Sequence, residues 1–173
     1  MFKSGEYIIY KRDLCKVKTI EKSPRTNEEY YVLNPIQDES LSIKVPVSNK
    51  FHNLRYPLNK TEAKKLIEKI PDIEPIKISD KLLENSYREL MKTMTHEDLI
   101  KIIKTTYLRN QNRINQRKKA GDKDLTFFKQ AETYLYNELG YSLGKTYEEC
   151  KEYIIKKLSD CKKREWQKCL IYY

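Results

Sequence analysis

The chain has 173 residues, enough for one domain or two small ones, and its 35 Lys and Arg against 25 Asp and Glu give a formal charge of +10. That balance points to a polyanionic partner, either nucleic acid or anionic lipid. No run of about 18 apolar residues occurs, so no membrane-spanning helix is expected; four scattered glycines form no phosphate loop, and the four cysteines lack CxxC spacing.

The first 57 residues read as strands. Residues 1–10 alternate inward and outward side chains. Residues 17–20, 29–33 and 41–47 are short runs rich in β-branched and aromatic residues, bounded by turn formers. Turns fall at 11–13, at 23–27 with Pro24, and at 34–38. Pro46 has no N–H for a ladder and ends or edges the fourth strand. A short fifth strand at 54–57 is expected to close a small, strongly bent barrel with a thin core and available edges. The motif begins at residue 1, with no leader expected before it.

From residue 58 the chain reads as helix. Asn59 with Glu62 forms a capping box, and Ala63, Leu66, Ile67 and Ile70 fall on one face. Pro71 to Pro75 breaks this helix, so 58–78 is expected to be a linker with a short helix, or the first member of the bundle. Ser79 or Asp80 caps the next helix, with Leu83, Tyr87, Leu90, Met91 and Met94 at helical spacing. Thr95 starts another, with Asp98 completing its box and Leu99, Ile102, Ile103 and Thr106 as its buried stripe to about Arg117. Asp122 is the expected cap of a fourth helix carrying Leu125, Phe128, Ala131, Leu135 and Leu139, ended by Gly140 or Gly144. Thr146 and Glu149 box a last helix with Tyr147, Cys150, Ile154 and Leu158 inward. The fold class is therefore α+β: a small N-terminal barrel over 1–57, then an all-α helical bundle with its main domain over 79–160. Residues 161–173 form a basic, then aromatic tail with no assigned role; its Trp166 could stack on a base or cover the bundle.

The positive charge is concentrated. Lys101, Lys104, Arg109, Arg113, Arg117, Lys118, Lys119, Lys123 and Lys129 lie between 101 and 129, opposed only by Asp122 and Asp124. Lys118, Lys119 and Lys123 sit beside a helix N-terminus, where N–H groups and the helix dipole add to their charge and could hold a phosphate. A solvated face is the alternative. Acidic lipid fits less well, because the packed bundle leaves no large apolar face.

No catalytic constellation is present, so an enzyme is not expected, nor a cofactor. His96-Glu97-Asp98 looks catalytic but lies in a first helical turn, where the dipole favours acids. His52 and His96 are far from Cys15, Cys150, Cys161 and Cys169, which leaves no metal site and suggests reduced thiols in a cytoplasmic protein.

Phe2-Lys3-Ser4-Gly5-Glu6-Tyr7-Ile8-Ile9-Tyr10 resembles the opening F-x-x-G-D-x-V-V-Y of the CarD (CdnL) family of bacterial RNA polymerase-binding transcription regulators. Residues 29–33 and 41–46 are similar to that family's later strands, Ser86-Tyr87-Arg88-Glu89-Leu90 to its first long C-terminal helix, and 122–139 to its late helix. The resemblance covers nearly all of 1–158. It implies a Tudor-like (SH3-like) barrel that binds the polymerase β subunit by pairing an exposed edge with an edge of that subunit. It also implies a helical domain on promoter DNA at the upstream edge of the melted region. By resemblance Lys44, with Ile43 on its strand, occupies the polymerase contact. Ser23 falls near a second position that is basic in relatives, and Arg25 is its candidate substitute. Relatives carry a tryptophan wedge four residues before the Tyr87 equivalent; here that position is Leu83, either a smaller wedge or a core residue.

The function implied is stabilisation of the promoter open complex through sequence-nonspecific contacts. Arg88, Lys118, Lys119, Lys123 and Lys129 are the phosphate-binding candidates, with the protein monomeric on polymerase or exchanging strands through its open edge. Other readings of the same chain are an RNA- or ribosome-binding protein and a protein-interaction adaptor.

Overall fold

The structure, a computed structural model, describes residues 1–48, 53–93, 95–119 and 121–160. The chain divides into two units, Met1–Pro57 and Leu58–Tyr173.

In the first unit the opening residues act as a clamp. Gly5 adopts φ +89°, a left-handed value that side chains resist. Its N–H donates to the Val17 carbonyl (2.7 Å), and the Val17 N–H donates back to the Glu6 carbonyl (2.9 Å). The Phe2 N–H donates to the Tyr31 hydroxyl (3.0 Å), and the Phe2 ring packs edge-on against Tyr31 and Tyr56. β1 (Tyr7–Tyr10) then pairs antiparallel with β2 (Asp13–Lys22), β2 with β3 (Glu29–Pro35), and β3 with β4 (Ile43–Pro46), while β5 (Leu54–Arg55) pairs with the other side of β1. β2 is far longer than the apolar run at 17–20 suggests. Of its outer residues, Asp13 and Leu14 pair with β1, and Lys16, Glu21 and Lys22 pair with β3.

The strand order is β4-β3-β2-β1-β5. The expected closure therefore does not occur among the described residues: β5 pairs with β1 and not with β4. The sheet is open, five-stranded and antiparallel. β5 has two residues and β4 ends at Pro46, so neither offers enough main-chain groups to zip a closing ladder. A bulge between Val17 and Thr19 adds local twist. The core is small: Ile8, Cys15, Val17, Tyr31, Leu33, Val45 and Leu54. The alternation expected in β1 fails at its centre, where Ile8 and Ile9 are both fully buried.

The second unit contains α1 (Lys60–Lys69), a 3-10 turn (Ile70–Asp72), α2 (Asp80–Thr93), α3 (His96–Asn115), α4 (Asp122–Leu143) and α5 (Tyr147–Asp160). The capping boxes at Asn59/Glu62 and Thr146/Glu149 form in both directions. Thr95 caps α3, but the Asp98 carboxylate accepts from the Thr93 and Thr95 hydroxyls (2.8 and 2.7 Å) instead of reciprocating to the backbone. α4 is capped by Gly121, one residue before the expected Asp122. The Gly121 N–H donates to the side chain of Asn110 on α3 (3.0 Å), a partner that comes from the tertiary fold.

α1 is a bundle member and not a linker. Its Ala63 and Ile67, with Ile70, share one core with Leu83, Tyr87, Leu99, Ile102, Phe128, Leu135 and Ile154. Lys104, counted above with the basic surface, is instead fully buried. Its ammonium donates to the carbonyls of Ile70 (2.5 Å), the first residue of the 3-10 turn, and of Ile73, just after it.

Gly144, at φ +66°, ends α4. Gly140 lies inside the helix and serves a different purpose. The Lys145 N–H donates to its carbonyl (2.8 Å), and a Cβ at Gly140 would sit 2.9 Å from the Lys145 carbonyl oxygen. Gly→Ala inside a helix ordinarily stabilises by about 1 kcal/mol. Gly140→Ala is expected to reverse that sign and cost about 1–3 kcal/mol in urea unfolding, because backbone must move to admit the methyl group.

Candidate partner-binding and nucleic-acid surfaces

In the sheet unit, β4 is an outermost strand with one side unpaired among the described residues. Lys44 projects from it, well exposed, and donates to Glu21 on β2 (2.7 Å). Ile43 on the same strand is half-buried and packs against the sheet core. Ser23 is spent on the turn: its N–H donates to the Glu28 carbonyl (2.8 Å), and its own carbonyl accepts from the Asn27 N–H (2.9 Å). Arg25 is exposed at the tip of that turn, two residues before Asn27 at φ +59°. The strand and turn thus present one lysine and one arginine, while Ser23 holds the loop. A hollow of about 520 Å³ lies on the sheet face over Tyr7, Lys16 and Lys18, away from the β4 edge.

In the helical unit the nine cations between 101 and 129 separate by environment. Lys104 is buried. Arg109 spans two helix starts, donating to Asp80 at the first residue of α2 and to Asp124 in the first turn of α4 (3.2 Å). Lys101 lies 3.8 Å from Asp98. Arg113 donates to the Lys119 carbonyl (2.8 Å), which folds the connection between α3 and α4 back on itself. Arg117, Lys118, Lys119, Lys123 and Lys129 remain exposed. Lys119 and Lys129 pair with no acid among the described residues.

Glu84 was not singled out from the sequence, yet it gathers two of the candidates. Its carboxylate accepts from Arg88 Nη2 (2.6 Å) and from Lys123 Nζ (2.5 Å). The Arg88 spacing of four residues is legible on one helix. The Lys123 partner lies 39 residues away and is not. Lys118 and Lys119 lie in the connection just before Lys123. Lys129 is six residues on from Lys123, roughly 120° round the helix, so it faces another way. A cleft of about 400 Å³ opens beside Glu84 and is lined also by Leu83, Tyr87, Arg109, Arg113 and Lys123.

Leu83 is only 3% exposed and belongs to the helical core. Of its two readings, wedge and core, the packing meets the second; a wedge requires a protruding side chain. Its neighbour Leu82 is 58% exposed and is the apolar side chain that α2 presents to solvent there. Sequence periodicity left Leu83 open between the two readings and did not pick out Leu82.

His96 Nε2 lies 2.9 Å from the Glu138 carboxylate, which also accepts from the Leu58 N–H (3.1 Å). Burial pushes the Tyr87 phenol up, with the Asp124 carboxylate adding to the shift. Cys15 and Cys150 are buried free thiols, pushed up by burial to about 12 and about 11. No group of three metal-ligating side chains and no helix long and apolar enough to cross a membrane occurs among the described residues. Cys161, Cys169, Trp166 and His52 lie outside them.

No protein-family model matches the chain, and no curated protein matches its sequence.

Two outcomes follow from this geometry. Leu83→Ala should lower unfolding free energy by about 2–4 kcal/mol, measured in urea, as removal of a buried leucine does. The Glu84 carboxyl is held below its ordinary value, chiefly by the hydrogen bond from Lys123 and then by Arg88. The stability it contributes is present above the unfolded carboxylate value of about 4.3 and is lost as pH falls through the lower folded value. An NMR titration should therefore place its midpoint below that value; a midpoint at or above it would mean that the pairs do not form in solution.

Proposed function

We propose that this protein is a transcription regulator of the CarD kind. In this reading the sheet unit is a Tudor-like barrel domain that binds the β subunit of bacterial RNA polymerase, and the helical unit steadies the promoter open complex by gripping nearby DNA. The observation that carries the proposal is the outermost position of β4, an edge strand with one side unpaired among the described residues and a well-exposed lysine on it. Such an edge presents main-chain donors and acceptors to a guest strand, which supply affinity while Lys44 and Arg25 supply selectivity.

The barrel assignment is supported by the bulge, the small shared core and the clamp formed by Phe2, Gly5 and Glu6, the residues that carry the family resemblance. The DNA assignment is supported by the exposed cations Lys118, Lys119 and Lys123 around the start of α4, with Arg88 beside them. Such side chains neutralise phosphates without reading bases.

The mechanism is tethering. Binding polymerase holds the helical unit at high effective concentration over the promoter, so individually weak contacts suffice. Only contacts stronger on opened than on closed DNA shift the equilibrium, and a difference of about 1.4 kcal/mol shifts it tenfold. With Leu83 in the core, the reading rests on phosphate contacts and not on insertion at that residue. The protein acts in the cytoplasm, as a monomer on polymerase.

Lys44→Glu is expected to weaken capture of the polymerase β subunit by at least about tenfold, since it reverses a contact charge. The circular dichroism spectrum should stay unchanged. Undiminished capture would remove Lys44 from the contact. Cross-linking to an open promoter that requires polymerase supports the proposal, whereas tight binding to free RNA would favour an RNA-binding protein.

A further inference from the structure

Arg88 and Lys123 come from different helices and converge on one carboxylate. Each oxygen of Glu84 takes one of them, at 2.6 and 2.5 Å. A phosphodiester presents the same arrangement, two anionic oxygens that can accept from two cations. The side chains of Arg88 and Lys123 are 62% and 75% exposed, so both donors can turn to a ligand without crossing protein. Glu84 is itself a third exposed, so burial does not lock it in place, and ion pairs at such positions are weak and screened by salt. Of the other acids lining the cleft, Asp80 and Asp124 are both taken by Arg109, while Asp122 is exposed and pairs with no cation among the described residues.

We propose that Glu84 is a built-in competitor for nucleic acid, its carboxylate occupying the position that a DNA backbone phosphate takes between Arg88 and Lys123. The inference rests on the nucleic-acid reading above and adds a regulatory residue to it. Until Glu84 is displaced, its single negative charge offsets half of the positive charge of Arg88 and Lys123 and occupies one donor of each. Free protein then binds duplex DNA feebly, which limits its loss to the vast excess of nonspecific sites. When polymerase supplies the effective concentration, the phosphate outcompetes the carboxylate and both cations engage.

The test uses the full chain and a fluorescein-labelled 20-base-pair duplex, with anisotropy followed across sodium chloride concentration. Glu84→Gln keeps the side-chain shape and removes the competing charge. It is expected to tighten binding about three- to tenfold in 50 mM salt, and to steepen the dependence of log affinity on log salt by about 0.9 for one more engaged phosphate. Glu89→Gln is the control. It makes the same charge change on the same helix, but Glu89 pairs with Lys92 (2.7 Å), which is not among the candidates. It should change affinity by less than about twofold, as an outlying charge does. Adding Arg88→Gln and Lys123→Gln to Glu84→Gln should abolish the gain.

Equal gains from Glu84→Gln and Glu89→Gln, or a gain that survives loss of both cations, would overturn the inference by showing an effect of net charge alone. Salt-dependent binding by the wild type with no gain in Glu84→Gln would overturn the competitor and leave the nucleic-acid reading standing. Absence of salt-dependent binding in every variant would overturn both.

Discussion

One guanidinium bridges two helix starts of the helical unit, over an apolar core that all its helices share. Arg109 reaches from the middle of α3 to the first residue of α2 and the first turn of α4, and takes a carboxylate from each. Burial works against its charge, but Asp80 and Asp124 outweigh that and hold it protonated more firmly than usual. Two helix starts are thereby pinned to one point. The side chains just inside them follow: Glu84 and Arg88 on α2, and Lys123 on α4. Acids in first turns are favoured by the helix dipole in any case, so the same two carboxylates serve their own helices and the junction. The apolar core shared by α2, α3 and α4 holds these helices together, and Arg109 ties the starts of α2 and α4 at its edge.

The sheet unit is organised by backbone instead of charge. Gly5 permits the turn that lets the first residues lie back on β2, and Phe2 then closes one end of the small core with Tyr31 and Tyr56. The residues that carry the family resemblance are thus explained by folding, without reference to a partner. Local folding leaves unexplained an outermost strand and two exposed cations, Lys44 and Arg25.

Much of the fold was legible because its signals are local. Asn59 with Glu62 and Thr146 with Glu149 are capping boxes within four residues of sequence, and both form. The apolar stripes of α3, α4 and α5 fall inward as their spacing requires. The misreadings have physical causes. β2 extends beyond its apolar run because each end finds a strand partner, Asp13 and Leu14 on β1 and Glu21 and Lys22 on β3. Asp122 was taken for a cap because acids favour that place; Gly121 holds it through a side chain of α3. Barrel closure was expected from strand count, but two short edge strands do not zip.

The sequence by itself determined the capping boxes at Asn59 and Thr146, the inward stripes and the strongly basic stretch from 101 to 129, since each is carried by residues close together in the chain. Only the tertiary structure decided what each charge does. Lys104 is buried on carbonyls more than 30 residues away, Arg109 is shared by two acids, and Lys123 is held by Glu84. A count of lysines cannot distinguish a free cation from a neutralised or buried one, because that depends on which distant backbone or carboxylate the fold brings within hydrogen-bond reach.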